Sequence, residues 1–272
     1  MLEHLNSAQK TARIAGALYL LSAAAAGVPL IFIPSALIVD GSAAATAHNI
    51  LASEMIFRGC IVSELIGAVV FIFMVRALYR LMSGVNKTHA SLMVTLVLVS
   101  VPITFLNVLN EIAALTLMHG TAFLSVFDNS QRDALAMLFL GLHADGANVA
   151  NILWGLWLLP FGALIMRSGF FPRILGAWLI ANGFALVAVS LTGLLLPAHL
   201  NTVNRIAILP ELGELWMMAW LLIKGVRVVR RVSELEAMWG DLPELQITPV
   251  IETSRLRAAW LRWKVHAERE LR

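Results

Sequence analysis

Residues Leu92–Leu115 read LMVTLVLVSVPITFLNVLNEIAAL. As an α-helix this stretch is ~36 Å long, enough to cross the ~30 Å hydrocarbon core of a bilayer. It holds one ionisable side chain, Glu111. Its polar residues are ordered. Ser100, Thr104, Asn107 and Glu111 fall at i, i+4, i+7 and i+11, a single helical stripe with Asn110 beside it. A polar stripe facing lipid leaves its groups without hydrogen-bond partners. An intramembrane carboxylate also costs roughly 2.5–3.5 kcal/mol on insertion scales. The segment therefore requires other helices to cover that face, and the chain should be a bundle of spans.

Five further stretches qualify: Ile14–Leu37, Met55–Ala77, Gly146–Met166, Ile174–Leu196 and Ile206–Val229. The composition agrees. Of 272 residues, 59% are hydrophobic and 14% charged, against roughly 25% charged in soluble domains, and the mean hydropathy is +0.81. A soluble enzyme, a disordered chain and a collagen-like fibre are excluded. The fold class is all-α, a polytopic bundle of six transmembrane helices. Ile14–Val39 carries no charge before Asp40. That is long for a signal-peptide core, so it reads as a retained first span. The net charge of +3 is mild, and no basic face with interleaved aromatics points to nucleic acid. Cys60 is the single cysteine, which rules out an internal disulfide framework.

Loop charge sets the expected orientation. Lys10 and Arg13 precede span one, Arg76, Arg80 and Lys87 follow span two, Arg167 and Arg173 follow span four, and Lys224, Arg227, Arg230 and Arg231 end span six. The opposite loops hold only Arg132 and Arg205, beside Asp40, Asp128 and Asp133. Both termini are expected in the cytoplasm. Two regions follow: residues 1–231 as the six-helix domain, and residues 232–272 as a polar linker with a helix over Glu252–Arg272. In that helix Leu256, Trp260, Trp263, Ala267 and Leu271 make one apolar stripe flanked by basic residues. This composition fits the anionic headgroups of a cytoplasmic leaflet.

Several stretches resemble one family. They are ARIAGALY (12–19), NILASE (49–54), RALYRL (76–81), VNK (85–87), LFLGLH (138–143), GLWLLP (155–160) and RSGFFPRILG (167–176). In this order and spacing they resemble the bacterial membrane family labelled domain of unknown function 4386, over about Arg13 to Arg227. The resemblance implies a multi-span protein of the bacterial inner membrane and implies no activity. The tail beyond Arg230 lies outside it.

Polar residues inside the spans give the functional expectation. Glu54 and Arg58 are four apart on one face of span two and can pair. Glu64 lies nearer mid-depth on another side. Asn107 and Glu111 lie on the stripe of span three, His143 and Asp145 stand at the mouth of span four, and Glu211 and Glu214 share a face near the start of span six. Read span by span, Glu54, Arg58, Asn107, Glu111, His143, Asp145, Glu211 and Glu214 are expected at one depth, the outer third. Such a cluster could bind or move a small solute, an ion or a proton. Alternatively, the polar residues only hold helices together, in a structural, sensing or partner-binding membrane protein. A third reading is an intramembrane metal-dependent enzyme, with His143, Glu111, Glu211 and Glu214 as candidate ligands. No catalytic residue, cofactor or oligomeric state can be assigned from the sequence. Gly155, Gly162 and Gly169 recur at seven-residue spacing, as do Gly176 and Gly183, with Ser190 next in register. That predicts a tight antiparallel hairpin of spans four and five.

Overall fold

The computed structural model describes residues 2–226, with side chains described from Ser7 onward. The linker and the expected helix over Glu252–Arg272 lie outside the described residues. In chain order the helices are α1 (Leu2–Phe32), α2 (Ala43–Ala52), α3 (Glu54–Met82), α4 (Lys87–His119), α5 (Asn129–Leu156), α6 (Leu158–Ser168), α7 (Arg173–Leu195) and α8 (Leu200–Ile223). No strand occurs among the described residues. Among the described residues six helical stretches are long and apolar enough to cross a membrane: α1 with its extension to Leu37, α3, α4, α5 with α6, α7, and α8 with the turn before it. Large apolar side chains such as Ile31, Leu106, Leu195 and Leu209 cover the outside, a surface compatible with lipid.

The breaks follow from local chemistry. Pro34 has no N–H to donate, and the chain around it widens into a π-helical turn, Ile33–Leu37, closed by Ile38 N–H to the Ile33 carbonyl at 3.3 Å. Pro160 leaves the Leu156 carbonyl without its usual donor, and the fourth span divides there into α5 and α6 at Trp157. Asp128 starts α5 with a capping box, its carboxylate accepting from the Gln131 backbone N–H while the Gln131 side chain accepts from the Asp128 N–H. The last span begins at Leu200, earlier than the apolar run at Ile206 indicates, because a tight turn at Pro197–His199 leads straight into it. Helix α2, ten residues long, is too short to span and was not part of the sequence expectation. It buries Thr46, Ala47 and Ile50.

Gln9 ties the start of α1 to the residues after α8. Its side-chain N–H donates to the Lys224 carbonyl at 2.9 Å and its carbonyl accepts from Val226 N–H at 3.0 Å. The start of α1 and the end of α8 therefore share one end, here called the terminal end. The other, far end carries α2 and the loop before α5.

The glycine hairpin forms as the spacing predicts. A Cβ on Gly162 would stand 2.6 Å from the Gly176 carbonyl oxygen, and one on Gly155 2.5 Å from that of Gly183. The pairs are centred on Gly169, which turns the chain in the left-handed region at φ +67°. One heptad further out, the Asn148 side chain donates to the Ser190 carbonyl at 3.3 Å. In lipid, helices associate through such close backbone approach rather than through hydrophobic burial.

Two apolar cores lie along the bundle. The terminal-end core includes Tyr19, Met74, Val97, Trp157, Phe161 and Leu179. The far-end core includes Ile33, Ile50, Phe57, Val108, Leu115 and Leu140. Between the two cores the buried residues are mostly polar or small: Ser22 on α1, Glu64, Gly67 and Ala68 on α3, Ser100 and Thr104 beside Val101 on α4, and His143 on α5. The molecule has a polar waist between two apolar cores.

Candidate functional site

The stripe on α4 faces inward. Ser100, Thr104, Asn107 and Glu111 are all buried. At its far-end limit Glu111 meets two residues from neighbouring helices, Glu64 of α3 and His143 of α5. His143 Nε2 lies 3.7 Å from Glu64 Oε2 and 3.9 Å from Glu111 Oε1. One ligand-type atom from each of the three residues lies within 4.8 Å of the other two. Glu64 is 3% exposed and Glu111 1%. Glu64 Oε2 and Glu111 Oε2 have no hydrogen-bond partner among the described residues. Burial of a carboxylate without partners is costly, so these two oxygens are the atoms of the site that call for a ligand.

Asn107 sets the histidine. The His143 ring N–H at Nδ1 donates to the Asn107 backbone carbonyl at 3.4 Å, and the Asn107 side chain donates back to the His143 backbone carbonyl at 2.9 Å. With Nδ1 donating, neutral imidazole presents the Nε2 lone pair to the two carboxylates. The reciprocal pair depends on Gly146, since a Cβ there would stand 2.0 Å from Asn107 Oδ1.

Two cavities occupy the waist. One, of about 330 Å³, is walled by Glu64, Glu111 and His143 together with Pro34, Asn148 and Asn151. The other, of about 500 Å³, is walled by Glu64, Ser100, Thr104, Trp157, Glu211 and Glu214. Glu64, Asn151, Trp154 and Asn204 line both. Glu64 thus stands where the two cavities adjoin. Pro29, Ile33 and Pro34 line the first cavity, so one side of the irregular backbone borders it.

The other expected residues go elsewhere. Glu54 accepts from Arg58 Nε at 2.6 Å and lies 3.1 Å from His119 Nε2, an ion-pair group joining the far ends of α3 and α4. Asp145 is exposed. Glu214 accepts from the Tyr19 hydroxyl and, at 2.8 Å, from the Asn182 side-chain N–H, a contact of α1, α7 and α8 in which both carboxylate oxygens are satisfied. Glu211 is exposed beside it and lines the second cavity. The structure therefore brings Glu111, His143 and Asn107 together. It adds Glu64 and gives Glu54, Arg58 and Glu214 separate partners. The start of α8 explains Glu214: Leu200 and Asn204 line the cavity with Glu111 and His143, so Glu214, further along the helix toward the terminal end, lies past that level.

Residues 14–225 match the family model described as Domain of unknown function (DUF4386). The chain belongs to that family. No curated protein and no solved structure matches it. In this DUF4386 protein Asn107, Glu111 and His143 of the expected cluster meet, and they meet Glu64, which the sequence reading sets nearer mid-depth and leaves out of the cluster. Glu54 and Glu64 are ten residues apart and point from different faces of α3. A search built on the Glu54–Arg58 pair therefore turns away from Glu64. The signal that would find it is depth. It is the one charge deep in the second span, with no oppositely charged residue three or four positions away.

Proposed function

We propose that this DUF4386 protein binds a small cation or proton in its waist and moves it between the two cavities past Glu64, in the inner membrane of a bacterium. The reading is carried by one observation, the convergence of Glu64, Glu111 and His143 on a cavity with two buried carboxylate oxygens unpartnered. A structural role for polar residues accounts well for Glu54–Arg58–His119 and Tyr19–Glu214–Asn182, whose carboxylates are satisfied. It does not account for Glu64 and Glu111.

In this reading the terminal end faces the cytoplasm. Lys10, Arg13, Arg76, Arg80, Lys87, Arg167, Arg173 and Lys224 all belong to that end, the side on which Lys and Arg accumulate. Reporter fusions after Arg80 and after Phe127 should report opposite sides, Arg80 inside; the reverse would invert the assignment. In the same reading the basic, Trp-bearing sequence of residues 252–272 serves anionic lipid headgroups.

The purified full chain, reconstituted in liposomes with a pH or cation gradient across the bilayer, should dissipate the gradient. Glu64→Gln should abolish the flux while the protein remains folded and monodisperse. Equal flux in protein-free liposomes, or undiminished flux through Glu64→Gln, would end the transport reading.

A further inference from the structure

We infer that Glu64, Glu111 and His143 form a binding site for one divalent transition-metal ion of the zinc, manganese or iron class. The inference rests on the cation-site reading above and names its ligand.

Three features favour a divalent ion over a proton or a monovalent one. The first is charge. Two carboxylates with a neutral imidazole carry a formal charge of −2, and one M²⁺ brings the buried set to neutrality, which removes the penalty of isolated charge in a low-dielectric interior. The second is the number of open valences. One proton shared between the carboxylates would serve Glu64 Oε2 and Glu111 Oε2, which both lack partners, but would leave Nε2 without one; one metal ion serves an oxygen of each carboxylate together with Nε2. The third is the support of the histidine. Its Nδ1–H is committed to the Asn107 carbonyl at 3.4 Å, the arrangement that fixes the tautomer and orientation of metal-binding histidines.

The spacing is close to that of a coordination sphere. Ligands held at ~2.1 Å in tetrahedral geometry stand roughly 3.4 Å apart. Here the His143–Glu64 and His143–Glu111 separations are 3.7 and 3.9 Å. The three ligand atoms lie within 4.8 Å of one another, so the set would close by up to about 1.4 Å to complete the sphere. One nitrogen and two carboxylate ligands suit zinc, iron and manganese better than calcium or magnesium, which favour all-oxygen sets. The three residues come from three different helices, so the ion would fasten α3, α4 and α5 at one level. The three ligands line a cavity whose wall also carries Asn148 and Asn151.

The test uses the full chain in detergent, stripped with a chelator, then titrated with Zn²⁺, Mn²⁺ and Co²⁺, with bound metal counted by elemental analysis and the Co²⁺ complex followed by its visible absorption. One ion per chain is expected for Zn²⁺ or Co²⁺, with affinity reduced at least tenfold in Glu111→Gln and in His143→Gln. It should be unchanged in Glu214→Gln and Glu54→Gln, whose carboxylates have other partners. If His143→Gln fails to fold, Glu64→Asp gives the same test, since a shortened ligand should weaken Zn²⁺ at least tenfold and alter the Co²⁺ spectrum. Absence of binding by all three metals, or binding untouched by Glu111→Gln, overturns the inference. In that event Glu64-dependent proton flux in metal-free liposomes would still uphold the transport reading. Metal binding without any flux would instead keep the site and reject transport.

Discussion

At the scale of single residues, the histidine of the waist depends on a glycine one turn away. Gly146 leaves room for the Asn107 side chain, which donates to the His143 backbone carbonyl while the Asn107 backbone carbonyl accepts from the His143 ring. Gly146→Ala would place its Cβ 2.0 Å from Asn107 Oδ1, and one of the two must move. Overpacking of this kind costs about 1–3 kcal/mol. The expected outcome is a lower unfolding midpoint in detergent and a weakened His143 site, whereas Gly59→Ala, with nothing within 4 Å of its Cβ, should leave both unchanged. The α4 stripe was legible in the sequence because four polar residues at helical spacing inside an apolar run have one physical solution, burial against other helices. Gly146 was not legible. Nothing local distinguishes a glycine that clears space for a residue 39 positions earlier from one that merely occurs in a membrane helix.

At the scale of elements, the α6–α7 hairpin and the α5 cap differ in what sustains them. The hairpin is held by backbone contact, with the Gly162 Cβ position 2.6 Å from a carbonyl oxygen that cannot swing aside. Gly162→Leu should therefore force the two helices apart and lower resistance to unfolding in mixed detergent by about 1–3 kcal/mol or more. Gly141→Leu, on open surface, should be neutral. The α5 cap is electrostatic. The Gln131 backbone N–H, followed by the Ser130 hydroxyl, holds the Asp128 carboxyl below the usual carboxylate range. A depressed folded value means that the cap contributes fully above the ordinary carboxylate pKa and is lost as pH falls through the lowered one. Asp128→Ala should fray the first turn of α5 at neutral pH, read as faster amide exchange at residues 129–132, and the wild type should approach the variant only in strong acid. The seven-residue glycine spacing anticipated the hairpin, whereas the cap, an aspartate three residues before a glutamine, was not read in advance. Nor did the sequence announce α2, whose ten residues fall between the length of a loop and that of a span.

For the whole molecule, six spans followed directly from the apolar runs, since each run had to be long enough for the bilayer. The position of each polar residue along the bundle followed less well. Depth counted from the edges of an apolar run goes wrong wherever a helix continues past that edge. Helix α8 begins six residues before Ile206, so Glu214 sits deeper than its run suggests and meets Tyr19 and Asn182 instead of His143. Helix α5 begins at Asn129, well before the level of His143, whereas Leu200 at the start of α8 lines the same cavity as His143, so counting residues from helix starts gives no common depth.

A bundle with two dry cores and a polar waist should carry an inverted record of solvent access. Membrane helices normally exchange their amide hydrogens from the ends inward, because water reaches the ends first. Here the cavities bring polar walls to the middle of α3, α4 and α5, between segments such as Met74–Leu78 and Phe57–Ile61 that belong to the two cores. Hydrogen–deuterium exchange followed by mass spectrometry should find a dip in protection over residues 64–68, 100–107 and 143–151, with slower amides on either side. Uniform protection along these helices would mean that the waist is dry. If the dip is present and fades when a cation is added, the same measurement would locate the ion without any assumption about its chemistry.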